Sequence, residues 1–236
     1  GERADSTAFI NAKKSFAKKI NVNEDHKIFP EDISQKELIE EVKKINNDRS
    51  VNGIIIQLPL PLHIDADSVI EFISKDKDID GLTSYNTKMA MDGHENAIIP
   101  ATARGIKELL AFYNIDLFNK NVTVVGRSML VGKPTAMMCL NQNATVTICH
   151  SKTKNLKEET RKADILIVAI GKAKFINKEY VKEGQIVIDI GINRLGDGTL
   201  SGDVDFNDVK DVVDMITPVP GGVGQMTVLA LFENLI

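Results

Sequence analysis

The chain has 236 residues, with 29 Lys and Arg against 33 Asp and Glu and a net charge of −4. Its 43% apolar and 26% charged content excludes a disordered chain, which would be poorer in apolar residues. The slight acidity argues against a dedicated nucleic-acid binder, whose footprint is a basic excess, and apolar runs such as Ile165 to Ile170 fall far short of the roughly 18 residues of a membrane span.

In chain order, Ala8, Phe9, Ala12, Phe16, Ala17 and Ile20 recur at helical spacing and predict a helix over 6–20, with Ser6 as its N-cap. A second helix is predicted over 34–46, with Leu38, Ile39, Val42 and Ile45 turned inward. The β-branched run Gly53-Ile54-Ile55-Ile56-Gln57-Leu58 reads as a strand buried on both faces, stopped by Pro59-Leu60-Pro61. Helices follow over 65–74 and, with a Thr102 cap, over 102–113.

After residue 121 the pattern changes. Strands at 122–125, 145–149, 165–169 and 186–190 alternate with helices at 131–141 and 155–161, which means βαβ crossovers and a parallel sheet. Gly126, Gly171 and Gly191 end strands, where the ligand crevice of such a sheet lies. A last helix is predicted over 226–236, after the glycine-rich segment 220–224. Length fits one large domain or two small ones. Cys139 and Cys149 cannot make a disulfide framework and read as two buried reduced thiols, with a single bridge as the alternative. With no CxxC and no Cys/His cluster, a structural zinc site has no ligands. The expectation is a reducing, cytoplasmic setting.

The segment Gly126-Arg127-Ser128-Met129-Leu130-Val131-Gly132-Lys133-Pro134 follows a predicted strand and opens a helix, the place where a pyrophosphate meets backbone N–H groups and a positive helix end. Ser128 stands where GxGxxG has its middle glycine, so the bland alternative is a glycine-punctuated βα turn. The next strand ends Cys149-His150-Ser151-Lys152-Thr153, without the acid that holds an NAD ribose. Hydroxyls with Arg127 and Lys152 accept a 2′-phosphate instead, favouring NADP; Ser151 and Thr153 also suit a helix cap. In the first half, Lys13 shares a helix face with Phe9, a pattern ordinary for a solvated lysine. Gln57 ends a buried strand, where its amide needs partners. Asp78-Ile79-Asp80-Gly81 hints at calcium, but the other loop ligands are missing.

Taken together, these blocks resemble the bifunctional methylenetetrahydrofolate dehydrogenase/cyclohydrolase family. Carrying the resemblance are Gln57 to Pro61, Asp78 to Gly81, Gly126 to Pro134, Cys149 to Thr153, Val187 to Asn193, and Thr217 to Gly224. They run in the family's order and cover nearly the whole chain. The resemblance implies an α/β fold of two lobes with a cleft between them: a folate-binding catalytic lobe (1–113 plus 225–236) and a Rossmann-type NADP-binding domain (114–224). It implies oxidation of 5,10-methylenetetrahydrofolate with NADP, then hydrolysis of the methenyl product to 10-formyltetrahydrofolate. The implied catalytic residues are Lys13, Gln57 and Asp80. The implied folate contacts add Phe9, Ile56, Leu58, Pro220, Gly221, Gly222, Val223 and Gly224. The implied cofactor contacts are Gly126, Arg127, Ser128, His150, Ser151 and Ile192. No metal, nucleic acid or membrane is implied, and a homodimer through the cofactor domain is.

Three departures stand out. Phe9 replaces a usual Tyr, so ring stacking survives while a hydroxyl near Lys13 is lost. Pro100-Ala101-Thr102-Ala103-Arg104-Gly105 departs from Pro-Cys-Thr-Pro-x-Gly, and Gln225 stands where proline is usual. The first raises one alternative to the bifunctional reading, a dehydrogenase with weak or no hydrolase; a non-catalytic folate- or nucleotide-binding module is a separate alternative, against which Lys13, Gln57 and Asp80 together weigh. The chain opens Gly1-Glu2-Arg3, where the family places a preceding helix and strand, so roughly 35 to 45 further residues are expected before it and a few after Ile236.

Overall fold

The structure is a computed structural model that describes residues 4–236, with only the backbone described at positions 4–6 and 8. The side chains of Ser6 and Ala8 therefore lie outside the described residues. In chain order the elements are α1 (Ala4–Lys19), α2 (Gln35–Asn47), α3 (Ala66–Ile70), α4 (Ser84–Met91), α5 (Ala101–Phe112), β1 (Asn121–Val125), α6 (Gly132–Asn141), β2 (Thr145–Cys149), α7 (Leu156–Lys162) and β3 (Ile165–Val168). A 3-10 turn (Lys178–Tyr180) then precedes β4 (Ile186–Asp189), β5 (Asn193–Arg194), β6 (Leu200–Ser201), α8 (Phe206–Val209), β7 (Met215–Ile216) and α9 (Val223–Glu233).

The second half forms a five-stranded sheet in the order β2-β1-β3-β4-β7, all parallel. Successive residues of each strand feed opposite faces. Val122, Val124, Ile165, Ile167 and Ile188 pack with α5 and α6 on one side. Val125, Leu166, Val168 and Val187 pack with Val204, Val209 and Val213 on the other. A sheet covered on both faces requires such continuous apolar strands, which is why they were readable from sequence. The chain leaves β1 for β2 on one side and for β3 on the other, so the ends of β1 and β3 flank the switch point where such sheets bind ligands.

The first half is helical and packs around α9, which returns to it. Phe16 of α1 meets Phe232 of α9 at 5.2 Å between ring centroids. Gly105 of α5 crosses α9 so closely that a Cβ there would lie 2.7 Å from the Met226 backbone. A separate cluster joins Leu38, Val42, Ile54, Ile64, Val69 and Ile73. Ser34 and Glu37 form a reciprocal capping box on α2.

Several expectations need correction. The run 53–58 is not a strand buried on both faces: its one ladder contact is a parallel bridge from Ile54 to Asp78, with Ile54 N–H donating to the Lys77 carbonyl at 2.7 Å. Among the described residues no second extended segment lies beside it, and a strand needs a continuous partner. Helix α3 is five residues, ending at Ile70. The α5 helix begins one residue earlier than expected, with Pro100, not Thr102, at its N-cap position. Helix α1 begins at Ala4, so Ser6 lies within it rather than at its cap. Helix α9 starts at Val223 and takes Gly224 into its first turn, because packing on α5 outweighs the low helix propensity of glycine. Helix α4 was not foreseen; its sequence has no apolar stripe, and Thr83 caps it by accepting from Asn86 N–H. The strands β5, β6 and β7 are too short for a periodic signal.

Candidate active site

In the first half of the chain, α1 presents Phe9 and Lys13 one turn apart. The Lys13 amine donates to Gln57 Oε1 at 3.0 Å and sits 4.8 Å from the centroid of the Phe9 ring. Gln57 Nε2 donates in turn to the Leu58 carbonyl at 2.9 Å. That second bond orients the amide so that its oxygen, a neutral acceptor, faces the amine. Burial lowers the Lys13 pKa, partly opposed by the charges of Asp80 and Glu24. Chemically, this is an amine poised nearer neutrality than a surface lysine, with an uncharged guide.

Asp78 and Asp80 sit two residues apart and do different things. Asp78 is fully buried, and its carboxylate accepts from Leu82 N–H at 3.1 Å, Thr83 N–H at 2.8 Å and Asn86 Nδ2 at 2.9 Å. It therefore builds the turn and the start of α4. Asp80 contributes its backbone carbonyl to Ala101 N–H at 3.2 Å, while no described residue donates to its carboxylate. Burial pushes the Asp80 pKa up to about 6, against the pull of Lys13 and with the help of Asp78. Just after them Gly81, at φ +71°, turns the chain where a Cβ would lie 2.9 Å from the Ile98 carbonyl oxygen. Asp78 is thus committed to Leu82, Thr83 and Asn86; among the described residues no group of three His, Cys, Asp or Glu is placed to hold a metal ion.

On the cofactor side, β1 and β2 run in register with Val125 beside Cys149, and Gly126 N–H continues the ladder to the Cys149 carbonyl at 2.9 Å. Arg127 and His150 thus leave adjacent strand ends, with Ser151 next in line; Arg127, Ser128 and Ser151 are exposed. Gly126 has φ +136° and leaves no room for a Cβ against the Ala169 carbonyl at the end of β3. A Cβ on Gly132 would meet the Gly126 carbonyl oxygen at 2.5 Å. These glycines bring the loop close to the start of α6, where Ser128 Oγ accepts from Val131 and Gly132 N–H at 3.1 and 3.3 Å. Ser128 therefore stands in for the missing middle glycine as a cap. Thr153 Oγ1 accepts from His150 N–H at 2.9 Å, which stiffens the loop carrying Ser151. This open, hydroxyl-lined strand-end cradle fits a dinucleotide whose ribose carries a phosphate.

The two sides adjoin. Ile192, 56% exposed, follows β4, and a Cβ on Gly224 would touch its Cδ1 at 3.4 Å, so the segment 220–224 borders the crevice. Its Val219-Pro220 bond is cis, as is Leu58-Pro59. Leu58 holds Gln57, whereas Ile56 packs with the Leu38 cluster. Cys139 and Cys149 are buried and unpaired, the Cys139 thiol pushed up to about 12 by burial. Asp203 escaped the sequence reading; its one sign was an acid inside the small, apolar run Ser201 to Val204.

Fold and site together define a nucleotide-binding α/β protein with a second, lysine-centred reaction site beside the crevice. Residues 1–80 match the tetrahydrofolate dehydrogenase/cyclohydrolase catalytic domain, and residues 100–236 match the NAD(P)-binding domain of the same family. The chain belongs to the tetrahydrofolate dehydrogenase/cyclohydrolase family. It is 46% identical over 236 residues to the bifunctional protein FolD of Bacillus anthracis, covering all of this chain and 82% of that one. It is similar to the solved bifunctional FolD of Campylobacter jejuni, with 42% identity, TM-score 0.97 and 83% of that chain covered. A Trypanosoma brucei FolD solved with NADP cofactor and inhibitor has 34% identity and TM-score 0.95, with 100% of this chain and 82% of that one covered.

Proposed function

We propose that Lys13, Gln57 and Asp80 carry the folate chemistry of this chain. The protein is an NADP-dependent methylenetetrahydrofolate dehydrogenase and methenyltetrahydrofolate cyclohydrolase. The observation that carries the residue roles is the 3.0 Å bond from a buried amine to a neutral, pre-oriented amide.

A bound NADP would supply the hydride acceptor for the methylene carbon; the protein's part is to hold the two partners together. Gly126 to Ser128 receive the pyrophosphate at the start of α6. Arg127 and Ser151 receive the 2′-phosphate and favour NADP over NAD. Ile192 and the segment Pro220 to Gly224 wall the junction of cofactor and folate. Phe9 stacks on the folate, and the Asp80 carboxylate accepts from the pterin's N–H donors, a charge-assisted contact.

Hydrolysis begins from a methenyl cation. Water adds to its carbon while the neutral Lys13 amine takes one of the water's protons; that proton then goes to the ring nitrogen as the carbon–nitrogen bond breaks, and the remaining hydroxyl proton leaves to solvent as the formyl carbonyl forms. Burial holds the amine's pKa down, and an adjacent substrate cation adds repulsion in the same direction. Gln57 guides the amine without adding charge. The dehydrogenase-only and binding-module alternatives are not favoured, because the family and its similar members are bifunctional dehydrogenase/cyclohydrolases.

The lobes are proposed as 1–113 plus 225–236 and 114–224, a division supported by the packing of α9 on α1 and α5. A homodimer through the cofactor domain is supported by the unpaired outer edge of β2, where Ile148 is exposed. A cytoplasmic location is supported by the two buried free thiols. A coupled assay tests the central reading: the chain with methylenetetrahydrofolate yields NADPH, then the methenyl signal decays faster than in buffer. No reduced dinucleotide with either NADP or NAD overturns the dehydrogenase assignment. Decay no faster than with Lys13→Met overturns the hydrolase assignment.

A further inference from the structure

Beneath the crevice lies a pair of carboxylates that the chemistry above does not use. Asp203 is 0% exposed. Its carboxylate accepts from three consecutive backbone N–H groups, Ile170 at 2.6 Å, Gly171 at 3.0 Å and Lys172 at 2.7 Å. Asn193 Nδ2 donates to it as well, at 2.9 Å. The first three donors belong to the loop that leaves β3, and the fourth to β5, which follows β4. One buried anion therefore ties together the segments that follow two neighbouring strands.

Asp189, at the end of β4, supports this arrangement from below. Its carboxylate accepts from Gly191, Asp203 and Val204 N–H at 2.9, 3.0 and 2.9 Å. Both neighbouring glycines are required: a Cβ on Gly191 would run into the Asp203 carboxylate, and one on Gly202 into that of Asp189. Three successive N–H groups converging on one anion form a backbone nest, a concavity that binds phosphates and carboxylates. Here the nest faces the same sheet end as the Gly126 loop but is filled by the chain's own carboxylate.

We propose that Asp203 is a positioning residue for hydride transfer. It fills the nest at 170–172, denies that nest to the cofactor's phosphates, and locks the loop carrying Ile192 in one register. The proposal rests on the reading that Ile192 touches the cofactor. Hydride transfer depends on placement to within about an ångström, a displacement that costs about 10²-fold. Hydrolysis at Lys13 needs no dinucleotide and no hydride alignment, so it depends less on the register of these loops.

The test measures both activities, together with NADP affinity by calorimetry, in the full chain and in Asp203→Asn and Asp203→Ala. Asn keeps the shape and loses the charge; Ala empties the nest. The expected result is a fall of about 10²-fold in dehydrogenase kcat/KM for Asp203→Ala, with weaker NADP binding. Methenyl hydrolysis stays within about twofold of the parent. Added formate, a carboxylate small enough for the nest, restores part of the dehydrogenase rate, and inorganic phosphate competes with NADP in the variant only. In the cofactor-free chain, amide exchange at 170–172 speeds up in both variants. Loss of both activities in parallel, or a dehydrogenase unchanged in both variants, overturns the proposal. Ile192→Ala separates the underlying reading: if it leaves NADP affinity intact, the cofactor assignment of Ile192 fails. If it weakens NADP binding while Asp203→Ala does not, only the positioning role fails.

Discussion

The folate side and the cofactor side of the cleft both bury carboxylates, and they treat them in opposite ways. Asp80 and Asp189 are each pushed to about 6, in both cases chiefly by burial. Asp189 receives three backbone N–H donors, while no described residue donates to the Asp80 carboxylate. A carboxylate saturated by the backbone is part of the scaffold, and it fixes loops. One left with its acceptors free beside a buried amine is held ready for a ligand. The lesson is that burial alone does not mark a reactive group; burial with unspent hydrogen-bonding capacity does.

The hardest blow to the folate side is Lys13→Met. It is expected to slow methenyl hydrolysis by about 10² to 10⁴, the usual worth of a positioned proton-transfer group, while heat denaturation shows the fold intact. A decay rate equal to that of the parent would remove Lys13 from the reaction. On the cofactor side the matching change is Gly126→Ala. Its positive φ and the adjacent Ala169 carbonyl leave no place for a methyl group, so a loss of about 3 kcal/mol in stability is expected. Urea unfolding measures it, and a loss below about 0.5 kcal/mol, the level of an ordinary surface substitution, would show that the crevice is not closely packed.

Asp78 and Asp80 sharpen the comparison within one turn. Asp78→Asn turns an NH2 group towards at least one of the three donors, Leu82 N–H when its oxygen faces Thr83 and Asn86, and is expected to cost about 2 kcal/mol. Asp80→Asn removes a charge that burial disfavours, so stability holds or rises, while folate affinity falls about tenfold with the charge-assisted contact. Equal destabilisation by the two would erase the distinction.

A pH series reads the same contrast. Folding raises the Asp80 pKa from 3.8 to about 6, so the folded chain holds that proton more tightly than the unfolded chain does. The stability this contributes is present at low pH and is lost as pH rises through about 6. Folate binding runs the other way, because it uses the carboxylate: kcat/KM for the folate is expected to fall below about pH 6. Asp80→Asn flattens that limb; a limb that persists belongs to another group. The smallest effect is Phe9→Tyr, which adds a hydroxyl near Lys13 and is expected to raise hydrolysis by less than about tenfold, the worth of one hydrogen bond. No acceleration means that the hydroxyl is dispensable here.

Several features were legible in the sequence because their signals are local. Continuous β-branched runs give β1, β3 and β4, since a strand covered on both faces has no polar side to encode. Glycines at 126 and 132 mark close backbone approach whatever surrounds them. Leu38, Ile39, Val42 and Ile45 recur at helical spacing and mark α2 from neighbours alone. The joint order of the motif blocks was enough for the family, and with it the cofactor and the reaction.

Tertiary structure decided the rest. The run 53–58 has strand composition, yet it makes a single bridge because a ladder depends on a partner elsewhere in the chain. Lys13 and Gln57 are 44 residues apart, and nothing near either one sets their 3.0 Å contact. Asp78 and Asp80 are the same residue type two positions apart; which becomes scaffold depends on where Leu82, Thr83 and Asn86 direct their donors. Asp203 gave little sign of itself, because its partners come from two segments brought together only by the sheet. Periodicity and turn chemistry act between neighbours, so they are encoded locally. Desolvation and hydrogen-bond satisfaction depend on what distant segments bring, so the reactive state of the amine and of each carboxylate belongs to the folded chain.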